Sequence, residues 1–183
     1  IVTVAKHFGG GVGISAVITT AEIEEKVVNG GYAATHSHSN DPLICAAGSV
    51  TFAPLGEMSE KDFALGLQNK LMGQVNLLLI GREFANDGAS FTFTSGVINR
   101  EPIRTGSSAA LVNAALDGFV KAAAIELPRG LRVNSVSPTV LEEAMGHYAS
   151  YFRGFKPVPA ADVALAYAKS VEGLHTGQTY QVG

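Results

Sequence analysis

SFTFTS at residues 90–95, SSAALVNAALDGFVKAAAIEL at 107–127 and LRVNSVSPTV at 131–140 decide the fold of this chain. The outer two stretches are rich in the β-branched and aromatic residues that suit a pleated, buried surface. The middle one is rich in alanine. Its spacing places Leu111, Ala115, Phe119, Ala122 and Ile125 near one helical face, which is expected to pack on the sheet. Strand, crossover helix and second strand make one βαβ unit spanning residues 90–139.

The neighbouring segments extend that pattern. Upstream, PLICAA at 42–47 reads as a buried strand, and residues 59–80 as a helix whose Ser59 and Asp62 form an N-cap signature. Asn86 to Gly88 supplies the turn into SFTFTS. Downstream, residues 141–159 are irregular and aromatic, 160–171 are periodic enough for a helix, and GQTYQVG closes as a strand. At the start, residues 1–5 are a short β-rich run leading into KHFGGGVGIS, Thr20 can cap a short helix, and YAATHSHSND reads as a surface loop. Strands alternate with helices, so an α/β fold with a mainly parallel sheet is expected.

With 183 residues the chain fits a single domain, 1–183, able to bury a core of its own. A net charge of −3 and only 16% charged residues leave no electrostatic footprint for nucleic acid or an anionic membrane, so the expected partner is a small molecule. One cysteine, Cys45, excludes an internal disulfide framework and suits a small apolar filler in a strand. There is no membrane-spanning run and no secretory leader pattern, which makes a cytoplasmic location the expectation. His36 and His38 have a spacing that can ligate a metal from a strand, but their segment is polar and lacks acidic or cysteine partners. No metal site is expected.

Four landmarks in chain order resemble the short-chain dehydrogenase/reductase family, a Rossmann-type three-layer α/β fold, over residues 42–183. ICAAG, with Ala46, Ala47 and Gly48, is similar to the family's Asn-Asn-Ala-Gly segment lining the cofactor cleft. SFTFTS ends at Ser95, the place of the family's catalytic serine. AAAIELPRGLRVNSVSPTV resembles the passage ending in Pro-Gly, here Pro138 and Thr139, and GLHTGQTYQVG resembles the C-terminal strand. The resemblance implies NAD or NADP as cofactor, a small carbonyl or alcohol as substrate, and a homodimer or homotetramer paired through the two long helices.

The departures bear on chemistry. In the resemblance, the tyrosine and lysine of Tyr-x-x-x-Lys fall on Ala109 and Asn113. Alanine has no ionisable group, and the amide of Asn113 could bond a ribose without lowering a neighbour's pKa. Lys70 stands where the family has an asparagine. It is either a solvated helix lysine or a cation facing the cleft that recovers the lost charge. His147, Tyr148 and Tyr151 lie where the family has a substrate lid, and Tyr148 is the second candidate proton donor, with Arg153 or Lys156 as a neighbouring cation. Packing of these aromatics onto the cleft is the competing role. Glu142 and Glu143 are expected to be solvated, and Ser107 and Ser108 to cap the central helix.

The glycine loop supports two readings. Gly9, Gly13 and Ile14 match the family's Gly-x-x-x-Gly-Ile, where backbone N–H groups at a helix N-terminus hold the pyrophosphate and a side chain would block approach. The same opening, with Phe8, resembles halohydrin dehalogenases, relatives that work without the nucleotide. Alternatively residues 1–7 are the family's second strand, with Lys6 and His7 near a 2′-phosphate and the first strand missing. That loss would expose two strand edges, which favours the glycine-loop reading. The function expected is an NAD(P)-dependent oxidoreductase with Ser95, Lys70, Asn113 and Tyr148 as candidate catalytic residues; the alternative is a catalytically inactive NAD(P)-binding sensor or scaffold.

Overall fold

The computed structural model describes residues 48–183 throughout and, before them, the backbone of three strands. These are β1 (Thr3–His7), β2 (Gly13–Val17) and β3 (Ile44–Cys45), followed by β4 (Ser90–Thr94), β5 (Arg132–Pro138) and β6 (Thr179–Val182). They form one sheet in sequence order. Strands β3 to β6 run parallel, whereas β2 is antiparallel to both β1 and β3.

Alternation in β4 explains the layers. Phe91 and Phe93 point to one face and pack with Leu78, Val112, Leu116 and Val120. Thr92 and Thr94 point to the other, where their hydroxyls meet Ser170 Oγ at 2.7 Å and the Tyr167 hydroxyl at 2.6 Å. The first face is covered by α1 (Glu60–Gly66), α2 (Met72–Gly81) and α3 (Ser107–Ala124), the second by α5 (Ala160–Glu172). A short helix, α4 (Met145–Tyr148), lies in the connection between β5 and α5. The result is the three-layer α/β architecture expected from the alternating pattern.

Four expectations are corrected or fall elsewhere. The buried face of α3 is not the one through Leu111 and Ile125, which are 44% and 88% exposed; it runs through Val112, Leu116 and Val120. The helix is apolar almost all round, so two adjacent stripes compete and only the neighbouring layer chooses between them. Ser107 and Ser108 do not cap it: Gly106 is the N-cap residue, with no side-chain cap, and both serine hydroxyls are buried without a partner. The glycine segment does not lead into a helix, because His7 faces Gly13 across an antiparallel pair and Gly13 and Ile14 are part of β2. Ile14 and Val17 are β-branched and favour that extended state. The Thr20-capped helix, Phe8, Gly9, His36, His38, Ala46 and Ala47 lie outside the described residues. By contrast, Ser59 and Asp62 do cap α1, with the Ser59 N–H donating to Asp62 Oδ2 at 2.9 Å.

Candidate active site

In an open parallel sheet, ligands sit in the crevice beyond the carboxyl ends of the strands. Ser95 continues β4 there, its N–H donating to Val136 O at 2.9 Å, and Thr139 continues β5, its N–H donating to Val182 O at 2.9 Å. Both side-chain hydroxyls are buried and have no hydrogen-bond partner among the described residues. Buried polar atoms are nearly always paired, so two orphans on one cleft point to a ligand.

The third wall comes from the helix that begins at α1. Between α1 and α2 the backbone widens into a π-helical segment, Leu67–Leu71. Such a segment inserts an extra residue into the α-helical repeat, and π-bulges recur at functional sites. This one contains Lys70. The Lys70 ammonium donates to Asn113 Oδ1 at 2.7 Å and to Ser95 O at 3.3 Å, and the Asn113 amide donates onward to Gly96 O at 3.2 Å. Lysine, asparagine and the end of β4 are thus tied together from three separate elements.

Close backbone approach makes this possible. A Cβ at Gly48 would lie 2.5 Å from Lys70 Cα and 2.6 Å from both Lys70 N and Asn69 Oδ1. Only glycine lets residues 48–49 approach the widened turn, where the Ser49 N–H donates to Asn69 Oδ1 at 2.7 Å. Gln74 secures the other side. Its carbonyl accepts the Thr94 N–H at 2.8 Å, and its amide donates to Thr94 O at 3.2 Å and Lys70 O at 3.1 Å.

Withdrawal from water disfavours the charged amine and lowers the Lys70 pKa from 10.5 to about 8, partly opposed by the negative charge of Asp117. Asp117 lies one turn beyond Asn113 on α3. It is held by Asn99 Nδ2 at 2.7 Å and Ser135 Oγ at 2.9 Å.

The cleft these groups border has a volume of about 140 Å³, with an apolar wall that includes Val97, Ile98, Val140, Leu141 and Phe152. Of the residues singled out in the sequence, Ser95, Lys70, Asn113, Tyr148, Gly48, Pro138 and Thr139 all line it. Tyr148 packs edge-on against Phe152, with ring centroids 6.5 Å apart. His147 is exposed on α4, and Tyr151 is 45% exposed. The Glu143 carboxylate accepts the Ala160 N–H at 3.1 Å, joining this segment to the start of α5. Lys70 is not a solvated helix lysine.

Sequence reasoning missed Gln74, Asp117 and Tyr167. The signal for Gln74 was a long polar side chain beside the apolar run at residues 77–80; for Asp117, an acid one helical turn after Asn113. Tyr167 gave none, since an aromatic residue on an amphipathic helix suits the core equally well. Among the described residues there is no cluster of histidine, cysteine, aspartate and glutamate able to hold a metal, and no helix is long and apolar enough to cross a membrane.

The sequence matches, over residues 4–174, the short-chain dehydrogenase family model described as enoyl-(acyl carrier protein) reductase. No curated protein matches it. Among solved structures, the protein lin1944 from Listeria innocua is 50% identical, with a TM-score of 0.76 over 77% of this chain and 71% of that one. A small-chain dehydrogenase in complex with NADPH is 24% identical, with a TM-score of 0.66 over 76% and 71% of the two chains. Acetoin dehydrogenase from Enterobacter cloacae is 20% identical, with a TM-score of 0.67 over 88% and 67%. The last two are similar in fold. Model match and half-identical relative together establish that this chain belongs to the short-chain dehydrogenase/reductase family.

Proposed function

We propose that the chain is an NAD(P)-dependent oxidoreductase that reduces a small carbonyl compound, or oxidises the matching alcohol, with Lys70 as the proton donor. The observation that carries this reading is the Lys70 ammonium, 2.7 Å from Asn113 and beside the unpartnered hydroxyl of Ser95 in one cleft. A dinucleotide, when bound, supplies or accepts the hydride. The remaining work falls to the chain: a carbonyl oxygen must be held, and it must receive a proton as negative charge develops on it.

Ser95 Oγ has its hydrogen-bonding capacity free to orient that oxygen. Lys70 offers three N–H groups, of which Asn113 and Ser95 O take two. A pKa of about 8 keeps it largely protonated at neutral pH yet able to give the proton up. In the family resemblance, the usual tyrosine and lysine positions are Ala109 and Asn113, so the charge arrives here from a different helix. Tyr148 is the alternative donor. It borders the cleft from α4 and is packed among aromatic rings.

The residues fit a nicotinamide at one end. Gly48, Asn113, Pro138 and Thr139 border the crevice where it would lie, and the two orphaned hydroxyls give polar ligand groups a partner. Gly13 and Ile14, being in a strand, do not form a helix-N-terminal cradle for the pyrophosphate. Leu79 and Ile80 on α2 and Leu111 on α3 are exposed apolar residues consistent with a homodimer or homotetramer.

Thermal-shift titration with NAD and NADP tests the binding half of the proposal: stabilisation by at least one is expected, and no shift with either overturns it. Turnover across a panel of small carbonyls tests the rest. A shift without turnover would instead favour a nucleotide-binding protein without catalysis. Reductase activity should decline as pH rises through about 8, because Lys70 loses its proton there.

A further inference from the structure

Two hydroxyls, not one, await a ligand in this cleft. Ser95 is 4% and Thr139 7% exposed, both line the cavity, and neither side-chain oxygen has a partner. Their spacing follows from the sheet. Thr94 is paired with Val136 in the parallel register of β4 and β5, so Ser95 stands opposite Ser137, and Thr139 is two residues further along. Each stands one residue beyond its strand, so the two are diagonal neighbours at adjoining strand ends, with a backbone separation of ~8 Å set by the strand spacing and the rise per residue. Ser137, between them in sequence terms, is already engaged, since its Oγ accepts from Arg100 Nη1 at 2.7 Å.

A carbonyl oxygen on Ser95 leaves the Thr139 hydroxyl facing the atoms next to that carbonyl. An apolar group there would leave a buried hydroxyl unpaired, which is costly. An oxygen on the adjacent carbon would satisfy it, and two hydrogen bonds of about 2.8 Å plus the gap between neighbouring oxygens span the diagonal. Lys70, already held by Asn113 and Ser95 O, is the sole charged residue among the described residues lining the cleft, and Thr139 is neutral, so the second oxygen is matched by a neutral hydroxyl. The cleft volume of about 140 Å³ is shared with the nicotinamide end, which favours a compact substrate.

We propose that Thr139 is a specificity-determining residue whose hydroxyl, together with that of Ser95, selects compact α-hydroxyketones over simple ketones. The proposal rests on the reading of the cleft as a carbonyl-reducing site and names the substrate class of that site.

Hydroxyacetone and butan-2-one have the same number of heavy atoms and differ by a hydroxyl in place of a methyl, so they isolate the second oxygen. The wild-type protein should reduce hydroxyacetone with a kcat/KM roughly tenfold above that for butan-2-one, the worth of one well-made hydrogen bond. Thr139→Val should erase that preference, read as the ratio of the two kcat/KM values on one enzyme preparation, so that any change in nucleotide binding cancels. Thr139→Ser should retain the preference, which also separates hydroxyl loss from a folding defect. An unchanged preference in Thr139→Val overturns the proposal. So does a weakened nucleotide shift with the preference intact, since the hydroxyl would then serve the cofactor.

Ligand binding measured by saturation-transfer NMR, without nucleotide and without turnover, gives an independent readout. If neither ketone is turned over, the reductase reading fails, and the specificity claim stands or falls on whether Thr139→Val abolishes stronger binding of hydroxyacetone.

Discussion

Two long helical segments lie against the same face of the sheet and meet at the cleft, but they deliver their polar groups in opposite ways. Ser107–Ala124 is regular from end to end; Asn113 reaches the site from its buried side, and Asp117 stands one turn further on. The segment from Glu60 to Gly81 is interrupted, and its cation comes from the π-helical turn Leu67–Leu71. The regular helix brings a neutral amide to the cleft wall with an acid one turn behind it; the irregular one brings the ionisable nitrogen. A charge can be moved from one element to another while the cleft keeps its place, provided the backbone yields locally where the new side chain must turn inward.

If the chemistry hangs on the interrupted helix, Lys70→Met should reduce turnover by ~10²–10⁴-fold, the usual worth of a positioned proton donor, with nucleotide binding retained. Steady-state kinetics and thermal shift on the same preparation check this, and turnover within threefold of wild type would return the role to Tyr148. On the regular helix the largest effect is structural. Leu116→Ala should destabilise the fold by about 2–5 kcal/mol in denaturant titration, since Leu116 is fully buried against Phe91 and Phe93. Leu111→Ala, five residues earlier on the exposed stripe, should change stability by about 0.5 kcal/mol or less.

Gln74→Leu sharpens the contrast further by removing the amide that ties the interrupted helix to β4. It deprives the Thr94 N–H of its Gln74 acceptor and should cost about 1–3 kcal/mol. A change below 0.5 kcal/mol would show that the tie is replaceable. A further signal is expected in the pH dependence of stability. Lys70 titrates near 8 in the folded protein and near 10.5 unfolded, so below about 8 both states are protonated and the cost of holding the ammonium is full. Between those values the unfolded chain binds more protons, and stability rises with pH. The melting temperature of wild type should therefore gain on that of Lys70→Met between pH 8 and 10.5.

The βαβ unit at residues 90–139 was legible because its strands and helix differ sharply in composition, and Ser59 with Asp62 announced a helix start that the structure keeps. The face of the central helix was not legible, since Leu111 and Val112 begin equally apolar stripes and only the position of the sheet distinguishes them. Lys70 could be singled out as a departure from a family pattern and weighed as a cation facing the cleft, but not chosen over a solvated helix lysine: a widened turn leaves no trace in hydrophobic periodicity. The glycine segment misled for a related reason. Glycine permits a hairpin as readily as a phosphate loop, and the antiparallel pairing of residues 3–7 with 13–17 depends on partners remote in sequence. Gln74 and Asp117 act through backbone groups and a neighbouring charge, which no motif spells out.

Gly48 has no side chain, makes no polar contact of its own through one, and yet sits in one of the tightest gaps among the described residues. Because a single methyl there would collide with the backbone of residue 70, this position works as a gauge block, setting how far the lysine's anchor can stand from the sheet. Gly48→Ala would push that anchor outward without removing any catalytic atom. The position of the lysine in this cleft is thus governed partly by a gap, and a library that varies only the polar residues would leave that control untouched.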